Sequence, residues 1–293
     1  MPIPSLTALP IRRLTHRDLA ACADLSEDRG WPREEHKWRL LLSAGMGYGI
    51  DDPDGGLVSA CVVTEYGPYG TPSLGAVGMV LVAERHARQG VGRRLMRHIV
   101  CRMGTTPLTL HATPNGRPLY EELGFKTTGR AEMLRGRFTT DAPGRDVQRA
   151  GVATRAATAE DLPSILRLDE EVFGVDRTHV ITRLPAFADQ FRVAEEDGRI
   201  IGYSAAWPNM DTQVVGPLIA RDTKTAQSLL ASLAARTDRP LRTDIDVRHE
   251  ELLAWAKARG LESVAFNSVM THGIPELPGD WRRRFAPLTV AAG

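Results

Sequence analysis

Apolar residues recur along the chain with two different periods, and the switching between them predicts interleaved strands and helices. In the first 140 residues the pattern gives a strand near 11 to 14, then helices near 17 to 28 and 32 to 43. Strands follow near 57 to 66 and 74 to 83, then a helix from about 90 to 103, a strand at 107 to 112, a helix at 116 to 123 and closing strands after Phe125. Such interleaving predicts an α/β or α+β fold with a mixed sheet.

The pattern repeats. Ile11-Arg12-Arg13-Leu14-Thr15-His16-Arg17-Asp18-Leu19 parallels Thr154-Arg155-Ala156-Ala157-Thr158-Ala159-Glu160-Asp161-Leu162, with Arg, Thr, Asp and Leu in register. At the same offset, Asp54-Gly55-Gly56-Leu57 meets Asp197-Gly198-Arg199-Ile200, a turn leading into a strand in both copies. Thr15 and Thr158 are N-cap candidates, and Asp18 and Asp161 are first-turn acids that favour a helix dipole. The polar stretch Thr139 to Gly151, with Pro143 and Gly144, shows no period and predicts a short linker. Two related domains are therefore expected, residues 1–140 and residues 151–293.

Composition narrows the class of partner. Among 293 residues, 37 Lys and Arg nearly balance 36 Asp and Glu, so no global field recruits nucleic acid or an anionic membrane. The longest nearly uncharged apolar stretch, Gly75 to Ala83, is far shorter than the roughly 20 residues of a membrane-spanning helix. The residues before Arg12 and Arg13 lack the basic-then-apolar order of a secretory signal, so the cytoplasm is the expected compartment. Cys22, Cys61 and Cys101 lie far apart with no metal-ligand spacing; they read as reduced, mostly buried thiols, and no metal is expected.

The most informative stretch runs from Val77 to Met96: an apolar strand, a charged turn, the pair Gly90 and Gly92, and an amphipathic helix. Glycines at a helix start let the backbone approach a phosphate closely, where unpaired amides and the positive dipole end neutralise it. Leu95 at the third glycine position excludes a Rossmann fingerprint, and the absence of G-K-[ST] excludes a P-loop. The stretch resembles the acyl-CoA-binding motif of the GNAT superfamily of N-acetyltransferases, V-x-P-x-x-[RQ]-x-x-G-x-[GA]. Val82, Gly90 and Gly92 match; Glu84 replaces the usual Pro and Ala87 the usual Arg or Gln. About 30 residues on, Tyr120, Gly124 and Phe125 fit the family's closing Y-x-x-x-G-F.

The resemblance implies two tandem domains, each a mixed, mostly antiparallel sheet flanked by helices, with acetyl-CoA as co-substrate. It places the pyrophosphate on the amides of Arg88, Gln89, Gly90, Val91, Gly92 and Arg93, and the pantetheine and thioester carbonyl along Met79, Val80, Leu81 and Val82. It casts Tyr120 as the acid that protonates the departing thiolate, a role suited to a phenol of pKa near 10. The strand Leu74 to Val82 carries no acid, so the candidate general bases are Glu65 and His111, with a water chain as a third route. The aromatic residues Trp31, Trp38, Tyr66 and Tyr69 suit a partly apolar or cationic acceptor, with ordinary packing as the alternative.

The second copy keeps the framework without the chemistry. Gly216 to Leu230 has no glycine after Gly216, and Ala256 stands at the place of Tyr120. An intact domain followed by a degenerate one is similar to the tandem-GNAT architecture. The cluster Trp281-Arg282-Arg283-Arg284-Phe285 reads as a solvated strand edge, with an acidic ligand as the alternative. The expected activity is acetyl transfer from acetyl-CoA to a primary amine by direct attack in a ternary complex; the alternative is a non-catalytic acyl-CoA-binding or sensing protein. A small-molecule or peptide amine is the expected acceptor, and a monomer or homodimer the expected assembly.

Overall fold

The computed structural model describes residues 8–139 and 152–293, so most of the linker expected at 139 to 151 lies outside the described residues. The first half runs β1 (Ile11–Leu14), α1 (Leu19–Asp28), α2 (Glu35–Ala44), β2 (Met46–Asp51), β3 (Leu57–Tyr66), β4 (Leu74–Val82), α3 (Val91–Met103), β5 (Leu108–Ala112), α4 (Arg117–Glu122) and β6 (Lys126–Gly136). The second half repeats the order as β7 (Val152–Ala156), α5 (Leu162–Phe173), the single turns α6 (Thr178–Ile181) and α7 (Leu184–Phe187), β8 (Gln190–Glu196) and β9 (Arg199–Asn209). It continues with β10 (Thr212–Ala220), α8 (Thr223–Ala234), β11 (Leu241–Asp246), α9 (Glu250–Ala258), β12 (Glu262–His272) and β13 (Arg284–Ala286).

The repeat shows at the level of single bonds. The Asp18 carboxylate accepts from the Thr15 amide at 2.8 Å and from Arg12 at 2.7 Å. Asp161 accepts from the Thr158 amide at 2.8 Å and from Arg155 at 2.6 Å. Each Asp therefore closes a capping box and ties it to the preceding strand.

One strand escapes the hydrophobic pattern. β2 (Met-Gly-Tyr-Gly-Ile-Asp) carries two glycines, which lower strand propensity. Their smallness is required: a Cβ on Gly47 would lie 2.7 Å from the Leu42 side chain, and one on Gly49 would lie 2.8 Å from the Ser59 carbonyl.

Among the described residues all strands join one 13-stranded sheet in the order β1-β2-β3-β4-β5-β12-β6-β11-β10-β9-β8-β7, with β13 on β10. The two halves exchange their last long strands. β12 lies antiparallel between β5 and β6, with Val269 opposite His111, and β6 lies against β11, with Arg135 opposite Arg242. A stretch of sequence is therefore not a stretch of fold: each half of the sheet is completed by a strand from the other half of the chain.

In each half a parallel pair opens into a splay. β4 and β5 pair from Gly75↔Leu108 to Val77↔Leu110, and β10 and β11 from Gln213↔Leu241 to Val215↔Thr243. The second splay is filled by β13, which pairs with β10 through Leu218↔Ala286 and Ile219↔Arg284. Arg284 and Phe285 are buried there, so this part of the basic-aromatic cluster is core and not the solvated edge that charge alone suggests. The chain then crosses to the first splay, where a Cβ on Gly78 would lie 2.3 Å from the Ala291 carbonyl oxygen. A core of Tyr66, Leu74 and Ala76 with Phe173, Phe187 and Trp207 joins the halves. Among the described residues no helix is long and apolar enough to cross a membrane.

Candidate active site

β4 is interrupted at Met79, whose φ of +52° puts a non-glycine residue in the left-handed region just where β4 leaves β5. Met79 and Val80 drop out of the register with β3 at this bulge, and both line a cavity of about 460 Å³. Leu110, His111, Thr113, Gly116 and Tyr120 line the same cavity from β5, the turn after it and α4.

At one end of β4 the chain turns into α3 through Gly90, at φ +79° and with nothing within 4 Å of a notional Cβ. Arg88, at φ +59°, Gln89 and Gly90 are solvent-exposed. The first intrahelical bond is Arg94 N–H to Gly90 C=O, and no side chain caps the helix, so the amides of Val91, Gly92 and Arg93 have no partner within the helix. Buried Val91, Leu95, Met96 and Ile99 fix α3 against the sheet with that end facing outward. The arrangement fits a pyrophosphate: open space above a glycine, free amides and a helix start. Two of the arginines here are otherwise engaged, Arg93 with Glu122 at 2.6 Å and Arg94 with the Leu9 carbonyl.

Tyr120 is buried, with Phe125 edge-on at 5.9 Å, and burial pushes its hydroxyl well above the usual phenol range. His111 faces the cavity; burial, then nearby Arg284, push its imidazolium down to about 4, against the opposing effects of Asp246 and a backbone hydrogen bond with Val290. The ring is therefore neutral at pH 7. Among the sequence candidates, Met79, Val80, His111, Tyr120 and Trp31 meet in this one cavity. Leu81 and Val82 continue β4 toward Gly92 and lie outside its lining: Leu81 is buried between β4 and the first two helices, and Val82 is half-buried.

Other candidates are placed elsewhere. Glu65 is half-buried on β3, opposite Gly75 and electrostatically coupled to Arg102, outside the cavity lining. Tyr66 is fully buried in the joint core, its hydroxyl donating to the Ala292 carbonyl. Tyr69 is fully exposed in the loop after β3, and Trp38 is fully buried with its indole N–H on Ser26 at 2.9 Å. Cys22 and Cys61 are buried, with Cys61 pushed far above the usual thiol range; Cys101 is exposed on α3.

The far wall of the cavity is polar and was not visible in the sequence. It brings Glu34 and Lys37 from the start of α2 together with Arg135 of β6, Asn209 and Asp211 near the β9–β10 turn, Arg242 of β11 and Asn267 of β12. Glu34 is 7% exposed, at φ +25°, and paired with buried Lys37. The pairing of β6 with β11 brings Arg135 and Arg242 together from opposite halves of the chain, so no local motif announces the wall.

The corresponding start of α8 is built differently. Asp222 caps it, accepting from the amide and hydroxyl of Thr225, both at 2.8 Å, so a carboxylate of the chain already sits on the helix start. Ala256, in place of the tyrosine, is fully buried in α9.

The sequence matches two family models, each described as an acetyltransferase (GNAT) domain, over residues 65–138 and 165–286. It is 26% identical over 243 residues to the uncharacterized N-acetyltransferase YitH of Bacillus subtilis (strain 168), covering 82% of this chain and 83% of that protein. Its fold is similar to that of a Pyrococcus horikoshii protein provisionally assigned as an acetyltransferase, with a TM-score of 0.81 at 17% identity over 100% of this chain and 99% of that one. It is also similar to a tandem GNAT protein from the clavulanic acid biosynthesis pathway, with a TM-score of 0.63 at 16% identity over 92% of this chain and 99% of that one. Free amides at α3, a bulged strand at a splay, a tyrosine beside it and a repeated framework agree with these matches: the chain belongs to the GNAT superfamily of acetyltransferases and carries two tandem GNAT domains.

Proposed function

We propose that the protein transfers an acetyl group from acetyl-CoA to a primary amine by direct attack within a ternary complex, using the splay of the first half. The observation that carries this reading is that His111, Tyr120 and the Met79–Val80 bulge line one cavity that also contains buried polar groups for a second substrate. The amides of Val91, Gly92 and Arg93 would hold the pyrophosphate of acetyl-CoA, which supplies an acetyl thioester when bound. Main-chain amides at the Met79–Val80 bulge orient and polarise the carbonyl. His111, neutral and with a ring nitrogen able to accept, takes the proton released as the amine attacks. Tyr120 remains protonated across the physiological range and delivers its proton to sulfur. Burial raises the affinity of a thiolate for a proton as it does that of a phenolate, so the two groups stay matched in the same site.

The second half serves as scaffold and acceptor wall, its own splay filled by β13 and its helix start by Asp222. An amine panel scored by free-thiol release from acetyl-CoA tests the reading. Turnover with at least one primary amine, lost in Tyr120→Phe, is expected; tight acetyl-CoA binding with no turnover on any amine would replace it with a non-catalytic binding role.

A further inference from the structure

The acceptor wall holds charged groups whose hydrogen-bonding capacity the chain leaves unused. Arg242 projects from β11 with its side chain 16% exposed, and its Nε has no hydrogen-bond partner among the described residues. Its terminal nitrogens come no nearer than 3.8 Å to Glu34 Oε1 and 3.5 Å to Asp244 Oδ2. Glu34 Oε1 and Asn209 Oδ1, on side chains more than nine-tenths buried, likewise have no hydrogen-bond partner among the described residues. Buried polar atoms are nearly always satisfied, and a guanidinium fork matches a planar carboxylate with two parallel bonds.

The charge balance specifies what fits. Glu34 is neutralised by Lys37, and Arg242 faces Asp244, so the buried set is already even. A plain ammonium or a plain carboxylate brought in alone would add one uncompensated charge at low dielectric; a zwitterion adds none. Arg135 lies directly across the ladder from Arg242, and its own guanidinium is taken by Asp211 at 2.6 Å. Two cations at facing positions further favour an anion on Arg242, whose Nε has no hydrogen-bond partner among the described residues. The mouth of the cavity carries Trp31, Met210 and Val264, three apolar side chains left exposed on the surface.

We infer that this wall is the acceptor subsite for a small amine that also bears a carboxylate, an amino acid with an apolar body. Arg242 takes the carboxylate, Glu34 Oε1 and Asn209 Oδ1 accept from the ammonium as it binds, and Trp31, Met210 and Val264 cover the body; the ammonium releases one proton to water before its nitrogen attacks, and His111 takes the second. The inference rests on the acetyl-transfer reading above and names its acceptor.

The test uses the full chain and matched probes: L-phenylalanine, its methyl ester and phenethylamine, alongside the other apolar amino acids with their esters and decarboxylated amines. Thiol release gives kcat and KM; calorimetry with each probe, without acetyl-CoA, gives binding independent of turnover. The free acids are expected to exceed their esters and amines by roughly 100-fold in kcat/KM, because the analogues leave Arg242 unpaired. Arg242→Ala should remove that preference chiefly through KM, and Arg242→Lys, which keeps the charge and loses the fork, should restore only part of it. Melting temperatures on the same preparations separate loss of recognition from loss of fold, and the Lys variant carries the test if the Ala variant does not fold. Equal turnover of amines with and without the carboxylate, or no turnover and no binding of any carboxylate-bearing amine, overturns the inference. In the first case thiol release persists and acetyl transfer stands; absence of thiol release with every amine, despite acetyl-CoA binding, counts against the acetyl-transfer reading itself.

Discussion

The Asp222 carboxylate lies 2.8 Å from the Thr225 amide, so the start of α8 is occupied by an anion the chain supplies itself. At the start of α3 the equivalent position is Gly90, which has no side chain to offer. The repeated framework thus presents one helix start with no side-chain cap and one capped by a carboxylate. The expected result is a calorimetric stoichiometry of one acetyl-CoA per full-length chain. Asp222→Ala should lower stability by about 1 kcal/mol, the usual worth of an N-cap, without creating a second site, because β13 stays paired with Leu218 and Ile219 of β10 in the splay of the second half. A stoichiometry of two in either protein would contradict the assignment.

The glycines of α3 differ in what they permit. Gly90 sits at φ +79°, where a β-branched residue is strained whatever the space around it, while a Cβ on Gly92 would meet Val82 and Leu119 at 3.4 and 3.5 Å, ordinary contact distances. Gly92→Ala is therefore expected to melt within a few degrees of the wild type, and Gly90→Val to lose about 1–2 kcal/mol. Both Gly90→Val and Gly92→Val should weaken CoA binding by tenfold or more, since each puts side-chain atoms near the free amides. Unchanged CoA affinity in a folded Gly90→Val protein would remove the cradle from α3.

Much of this could be read in the chain, because the informative features were local. The helix of Val91 to Met103, the turn at Gly90 and the strand Leu74–Val82 are set by neighbouring residues, and the repeat survives in the paired boxes of Asp18 and Asp161. β2 was hidden because Gly47 and Gly49 are dictated by close approach to Leu42 and Ser59, contacts distant in sequence. Tyr66 carries the same residue type as a substrate-binding aromatic but faces the core shared by both halves. The polar wall of the cavity was illegible for a topological reason: Arg135 and Arg242 are more than 100 residues apart and become neighbours only because β6 crosses to β11. That exchange leaves residues 1–139 without β12 between β5 and β6, so a fragment ending at Thr139 is expected to be unfolded by circular dichroism and proteolysis while the full chain is not.

His111 gives the site a pH signature. Its folded pKa, about 4, lies below the ordinary histidine value of 6.5, so its neutral form stabilises the fold fully above pH 6.5. As pH falls from 6.5 toward 4, the unfolded chain takes up a proton that the folded chain refuses, and stability declines. The loss is at most about 3 kcal/mol, less as water in the cavity reaches the ring. Denaturation midpoints measured between pH 7 and pH 4 should fall less steeply in His111→Gln, which titrates nowhere in this window. If His111 also accepts the amine's proton, kcat in that variant should drop by roughly 100-fold, and identical pH slopes in the two proteins would mean that the ring is not the buried titrating group.

Tyr120→Phe removes one hydroxyl and keeps the ring that packs edge-on against Phe125. It therefore separates proton delivery from packing. Because burial holds the phenol protonated well past neutrality, the alkaline limb of the pH–rate profile should show no titration of this group up to pH 10, and its loss should appear as a fall in kcat of roughly 100-fold or more. Acetyl-CoA affinity should hardly change, since the amides at α3 and the Met79–Val80 bulge are untouched, and the melting temperature should stay within a few degrees. Measured on one preparation, wild-type turnover in the variant would mean that water or another group protonates the thiolate. A fall in turnover matched by an equal fall in acetyl-CoA affinity would assign Tyr120 to binding and leave the acid to be found elsewhere in the cavity.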